Sequence, residues 1–250
     1  KDGNGPATKV YMYMIEEDMP EVVDTVATKA DDTYVYGVYA YQVPIASVDV
    51  NASPLVYVPT ASNINLFMDN LGLTSDGQNY DGGDKYWPGA AWYMQFYVYK
   101  PYIASADTYI SISNSNNQPK ITYTVPQDAA LQKDLMSGAS EFRNCSETSE
   151  VSISLTHLLS QISVKAGDLA EGRIKSITLK NIYSQGERSL ESGSWTLLPS
   201  GTPSKVDYTQ FTSDITDGDS TNDGAVSDLK DTDIQTMYLM PQTLSDEATI

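Results

Sequence analysis

Cysteine and histidine are all but missing from this chain: Cys145 and His157 are the only examples of each in 250 residues. One cysteine cannot close an intrachain disulfide or build a cysteine-based zinc site; Cys145 is expected to be a small, partly buried side chain. One imidazole rules out a histidine-rich metal site, and any Ser/His/Asp or Cys/His nucleophilic centre has to run through His157. Positive charge is scarce too. Fifteen basic against 33 acidic side chains leave a net charge of −18, which repels nucleic acid and anionic membrane surfaces and favours solubility. No apolar run approaches the roughly 18 residues needed to span a bilayer. No signal-peptide pattern opens the chain, and neither a Walker loop nor a GxGxxG fingerprint occurs. Because the first residue is Lys1 rather than Met, removal of an upstream segment is expected.

Alternation of apolar and polar residues is what the chain has in abundance. It is clearest in VSISLTHLLSQISVK (Val151 to Lys165). Val151, Ile153, Leu155 and His157 share one face and Ser152, Ser154 and Thr156 the other; after Leu158 and Leu159, Ile162 and Val164 alternate with Ser163 and Lys165. A period of two is the pattern of half-buried strands. His157 continues the buried phase of its strand, so its role is expected to be structural. Eighteen tyrosines, with abundant Thr, Ser, Asn and Asp, suit a secreted bacterial β protein.

Residues 1–9 (KDGNGPATK) read as a flexible tether. Strand signals follow at Val10 to Ile15 (VYMYMI), at Tyr34 to Val43, stopped by Pro44, and at Leu55 to Val58, stopped by Pro59. Asn63 to Leu73 is expected to supply one or two helical turns, and Gly77 to Asp84 a loop. Trp92 to Tyr99 (WYMQFYVY) is apolar on both faces, as in a buried strand. Shorter strands at Tyr109 to Ile112 and Ile121 to Val125 flank the polar turn SNSNNQ. Ser137 to Glu150 is dominated by small and polar residues, which predicts a boundary near residue 148, with one domain over 10–148 and a second over 149–250. Ile174, Ile177 and Leu179 alternate with Ser176, Thr178 and Lys180, Trp195 to Leu198 follows the turn glycines Gly186 and Gly193, and Gln235 to Met240 is a last strand closed by Pro241. Short strands punctuated by Gly and Pro predict an all-β chain of two tandem β-sandwiches.

Three other features bear on chemistry. The acidic stretch 214–233 contains Asp214, Asp217, Asp219, Asp223, Asp228, Asp231 and Asp233, and oxygen clusters of this kind bind calcium when a tight turn gathers them. An EF-hand frame from Asp217 fails, because Asn222 stands where glycine is required, and a solvated loop is the better reading. Paired carboxylates can hydrolyse glycosides, but 33 acids nominate no pair. Tyr80, Tyr86, Trp87, Trp92 and Tyr93 offer either a platform for sugar stacking or core packing beside a buried strand. No catalytic residue, cofactor or metal is expected.

Five stretches in order resemble the fimbrillin family of Bacteroidetes type V surface pili. They are YWPGAAWYMQFYVYKPY (Tyr86 to Tyr102), ITYTVPQDAALQKDLM (Ile121 to Met136), Val151 to Lys165 with its HLLSQISVK core, Ile174 to Tyr183 followed by Trp195, and YLMPQ (Tyr238 to Gln242). The resemblance implies two transthyretin-like β-sandwich domains, export as a lipoprotein precursor whose lipid-bearing cysteine precedes this chain, and residence at the outer membrane in a fimbrium. It implies a non-enzymatic subunit, whether shaft, tip, anchor or accessory, with other pilus subunits as partners through donor-strand exchange and with host or bacterial surface ligands. In shaft subunits a protease cuts after a basic residue and frees a strand. Here the cut would fall between Lys29 and Ala30, where the family favours arginine, and the displaced strand would comprise Val10, Tyr11, Met12, Tyr13, Met14 and Ile15. The family also carries strands beyond the Pro-Gln motif, so the second domain is expected to lack its last strands. The competing reading is a surface lipoprotein that binds glycans through Tyr86, Trp87 and Trp92; a hydrolase is a third.

Overall fold

The computed structural model describes residues 8–17, 33–53, 56–57, 64–105, 107–146, 150–164, 176–191, 193–211 and 234–250. Lys29, Ala30, the acidic stretch 214–233, residue 148 and the tether as far as residue 7 lie outside them. The described chain is all-β, with two single-turn 3-10 helices, Ile45–Ser47 and Ala129–Leu131. No helix among the described residues is long and apolar enough to cross a membrane. In chain order the strands begin with β1 (Met12–Glu16), β2 (Tyr36–Pro44), β3 (Val48–Asp49), β4 (Val56–Tyr57), β5 (Asn65–Leu73) and β6 (Trp92–Lys100). Then come β7 (Ile110–Ser115), β8 (Gln118–Thr124), β9 (Met136–Ala139), β10 (Arg143–Asn144), β11 (Val151–His157) and β12 (Ser160–Val164). The last are β13 (Ser176–Tyr183), β14 (Gln185–Ser189), β15 (Trp195–Leu197), β16 (Lys205–Phe211) and β17 (Ile234–Leu239).

The largest sheet has the order β1-β11-β9-β6-β2-β5, with β10 also paired to β6. β2 pairs with β6 over eight consecutive positions from Gly37↔Tyr99 to Pro44↔Trp92. Both strands are buried on both faces for most of their length, which is why their sequences run apolar without alternating. Gly37 has a packing reason: a Cβ there would stand 2.1 Å from the Tyr99 ring, so the tyrosine fills the space the glycine leaves.

Asn65–Leu73 is a strand and not the helical turns expected from its sequence. Leu66, Phe67, Met68 and Leu71 imitate helical spacing because the strand is irregular. Asn70 adopts a left-handed φ of 48°, and the β2–β5 register shifts on either side of Ala40. An inserted residue of this kind breaks the two-residue period, and Asn tolerates that backbone region better than most side chains. The small-residue stretch Ser137 to Glu150 contains most of β9 and all of β10. Gly138 permits the close approach of β9 to β11, since a Cβ there would lie 2.1 Å from the Ser154 carbonyl oxygen.

Two compact units divide the chain. One comprises Lys1–Thr122, Leu135–Leu158 and Arg188–Ser194; the other comprises Tyr123–Asp134, Leu159–Glu187 and Trp195–Ile250. The alternating stretch expected to open a second sandwich is therefore shared out at its central break. β11 lies in the first unit, paired with β1 and β9, and β12 lies in the second, paired with β17. The second unit also holds the antiparallel pair β13–β16, with Tyr208 fully buried and its hydroxyl donating to the Val125 carbonyl at 3.1 Å. Asn116 and Asn117, both at positive φ, make the two-residue turn between β7 and β8, as a primed hairpin turn requires.

Candidate functional site

The segment Thr8 to Glu17 occupies a seat built by residues far from it in sequence. On one side β1 runs parallel to β11 in the register Met12↔Val151, Met14↔Ile153 and Glu16↔Leu155. On the other side loop backbone takes the place of a strand. Val10 N–H donates to the Lys85 carbonyl at 2.8 Å, Met12 N–H to the Gly77 carbonyl at 3.1 Å, and Trp87 N–H to the Thr8 carbonyl at 3.0 Å. Lys9 also bridges to Tyr86, so the end of the expected tether is held in place. A Cβ on Gly77 would fall 1.8 Å from the Met12 carbonyl oxygen, and Gly77 sits at a φ of +70°; only glycine lets the loop come this close.

Alternation decides what each face of β1 does. Val10 and Met12 are essentially inaccessible and Met14 packs behind them, in a cluster with Tyr36, Tyr80, Trp87, Phe96, Val151, Ile153 and Leu155. Tyr11, Tyr13 and Ile15 point outward and are 41, 57 and 49% exposed. The Tyr80 hydroxyl donates to the Val10 carbonyl at 3.1 Å.

Each end of the seat is closed by a charged contact. At the start, Lys9 Nζ lies 2.7 Å from Asp84 Oδ1. Hydrogen bonding to Asp84 raises the lysine's pKa, and hydrogen bonding to Lys9 lowers that of Asp84. At the finish, the Glu16 carboxylate accepts from Tyr36 OH at 2.6 Å and from Lys100 Nζ at 2.7 Å. Burial pushes the Glu16 carboxyl up, but the hydrogen bonds from Lys100 and Tyr36 and the lysine's charge outweigh it and hold the carboxyl below its ordinary value. Burial, then the bond to Glu16, pushes the Tyr36 phenol well above its ordinary range.

The aromatic segment is divided between surface and core. Tyr86 is exposed, whereas Trp87 is buried and packs edge-on against Phe96, with ring centroids 5.9 Å apart; Trp92 packs against the same core cluster. Trp87 is thus part of the core, its ring enclosed by protein. A cleft of about 480 Å³ is lined by Tyr93, Ser140, Glu141, Phe142, Arg143, Asn144 and Ser152. His157 is half-buried, and its Nε2 lies 3.1 Å from the Glu17 carbonyl oxygen. Cys145 is buried, which pushes its thiol up to about 12. Among the described residues no group of three or more His, Cys, Asp or Glu side chains is arranged to hold a metal ion.

Of the residues Val10 to Ile15, Met12 to Ile15 lie in β1, at the edge of the largest sheet, and Val10 and Tyr11 precede it. Several residues that hold it escaped sequence reasoning. Glu16 ends the apolar run, Lys100 ends the aromatic strand, Tyr36 is one tyrosine among many, and Gly77 belongs to an ordinary loop; none of them forms a local pattern.

A family model described as fimbrillin-like matches residues 26–250. Among solved structures, the chain is similar to a fimbrial protein from Bacteroides vulgatus ATCC 8482. The two share 18% identity and a TM-score of 0.56 over 94% of this chain and 77% of that one. A candidate cell adhesion protein from Bacteroides ovatus ATCC 8483 aligns over 98% of this chain and 82% of its own, with 16% identity and a TM-score of 0.49. No curated protein matches the chain.

Proposed function

The chain belongs to the fimbrillin-like family, and on that premise we propose that it is a structural subunit of a surface fimbrium that joins its neighbours by exchange of an edge strand. Assembly with other pilus subunits and residence at the cell surface follow from the family; the strand-exchange step and a lipoprotein precursor are the finer parts of the reading. The observation that carries it is the seat of β1. The strand has one apolar face, is paired along one side with β11, meets loop backbone on the other at Met12 and just before it, and is joined to the next strand in sequence only through residues 17–35. Removal of such a strand exposes backbone donors and acceptors together with the pockets of Val10 and Met12. An incoming strand satisfies both.

Magnitudes say which contacts decide the exchange. A backbone hydrogen bond nets about 0.5–1.5 kcal/mol, because water competes for the same groups. A fully buried Val or Met contributes about 1.5–3 kcal/mol. Ordering each residue of the incoming strand costs about 1–2 kcal/mol, so a strand that lacks fitting anchors gains little from its backbone bonds. Anchor side chains therefore supply most of the net gain.

The test is to cut the chain between Lys29 and Ala30, or at a protease site introduced there, and to follow the product by size. Polymers that grow with concentration and survive mild denaturant are the expected result. Persistent monomers that remain folded would count against a shaft role.

A further inference from the structure

The seat of β1 has more chemistry than backbone and apolar pockets. At its far end stand two groups that belong to the body of the unit and not to the strand: the Tyr36 hydroxyl on β2 and the Lys100 ammonium on β6. Tyr36 is only 6% exposed, and the Lys100 side chain is 30% exposed. The side-chain contact that the described residues provide for each is the same carboxylate, Glu16, at 2.6 and 2.7 Å. When β1 leaves, the phenol and the ammonium remain, and an unpaired donor in a half-buried position carries a desolvation cost. The chain as a whole carries −18 and repels acidic partners at long range, so any preference for a carboxylate here has to be produced by this pair of donors.

We propose that the vacated seat selects an incoming strand that carries a carboxylate at the Glu16 position, in register with Leu155 and running parallel to β11. The occupant is a strand of a neighbouring subunit. Its apolar side chains replace Val10, Met12 and Met14, and its carboxylate replaces Glu16 between Tyr36 and Lys100. Hydrophobic anchors of similar size are common among alternating strands, so pockets alone discriminate weakly. A fixed carboxylate, held by one neutral and one charged donor, sets both register and direction: a strand shifted by one residue puts its apolar face outward and takes its acid out of reach. This inference rests on the strand-exchange reading above.

The experiment uses the full chain with a protease site introduced between Glu17 and Asp32, cut while folded, and labelled peptides of the sequence Lys9 to Glu17 added in excess. The native peptide should replace the resident strand. A Glu16→Gln peptide should bind roughly tenfold more weakly, as loss of a charge-assisted hydrogen bond predicts, and a Glu16→Lys peptide more weakly still. A Glu17→Gln peptide, with the same change in charge one position along, should match the native peptide. Cut chain carrying Lys100→Gln should lose the distinction between the native and Glu16→Gln peptides. Equal binding of the native, Glu16→Gln and Glu16→Lys peptides would overturn the selectivity while leaving strand exchange intact. Failure of every peptide to enter a chain that remains folded would overturn strand exchange itself, and the selectivity with it.

Discussion

β1 and β6 lie in one sheet and face one core, yet they are held in opposite ways. β6 is central, paired with β2, β9 and β10, and buried along both faces; Met94, Phe96, Val98 and Tyr99 are inaccessible to solvent. β1 is at the edge and buried on one face only, with Tyr11, Tyr13 and Ile15 turned outward. β6 is the partner of three strands, whereas β1 is paired with β11 alone. The same hydrophobic effect builds both strands; what differs is the number of strands that depend on each.

The sharpest way to break this comparison is to truncate matching positions on the two strands. Phe96→Ala on β6 should cost about 3–5 kcal/mol, as a large cavity does when its walls cannot collapse, and should lower the denaturant midpoint of the whole chain. Met12→Ala on β1 should cost about 2–3 kcal/mol, towards the low end of the range for buried methionine because an edge strand can shift. Its effect should be local: amide exchange should quicken at Met12 to Glu16 while β2 and β6 stay protected. Uniform loss of protection would mean that β1 is as integral as β6.

Two smaller effects sharpen the contrast. Gly77→Ala adds a Cβ that collides with the Met12 carbonyl at a positive φ. It should cost about 1–3 kcal/mol and raise susceptibility to proteolysis near the N-terminus. Unchanged proteolysis would show that the loop is not the second wall of the seat. Glu16→Gln should cost about 1 kcal/mol or less, since the pair is about one-third exposed and solvent weakens such contacts. Its pH dependence has a definite sign. The folded carboxyl lies below its ordinary value, so its contribution is complete above that value and disappears as pH falls through the folded value. Lys100 and Tyr36 face the group directly, with the His157 charge a lesser influence. Unfolding curves of native and Glu16→Gln chains should therefore converge as pH falls through and below the ordinary carboxylate range; a constant gap would remove the carboxylate from the account.

Strand by strand, legibility followed the regularity of the pattern. β2, β6 and β11 were readable because their apolar residues form long runs or strict alternation, and the ordered segments around them carried the family resemblance. β5 misled because its irregularity at Asn70 shifted the phase into a helical spacing. β9 and β10 were invisible because Met-Ser-Gly-Ala and Arg-Asn have little hydrophobic signal, and neighbouring strands supply what they lack. The apolar face of β1 was legible at Val10, Met12 and Met14. Its seat was not, because Gly77, Lys100 and Leu155 come from three distant stretches.

By itself the sequence determined an all-β chain with a single imidazole, a single thiol and a strongly acidic balance, since composition and a two-residue period are local properties that survive without coordinates. Tertiary structure alone decided which strand stands at the edge, that it runs parallel to β11, and that Glu16 meets Tyr36 and Lys100. Those facts depend on which distant residues share a neighbourhood, and they arise only when the sheet order brings β1, β2, β6 and β11 around one core.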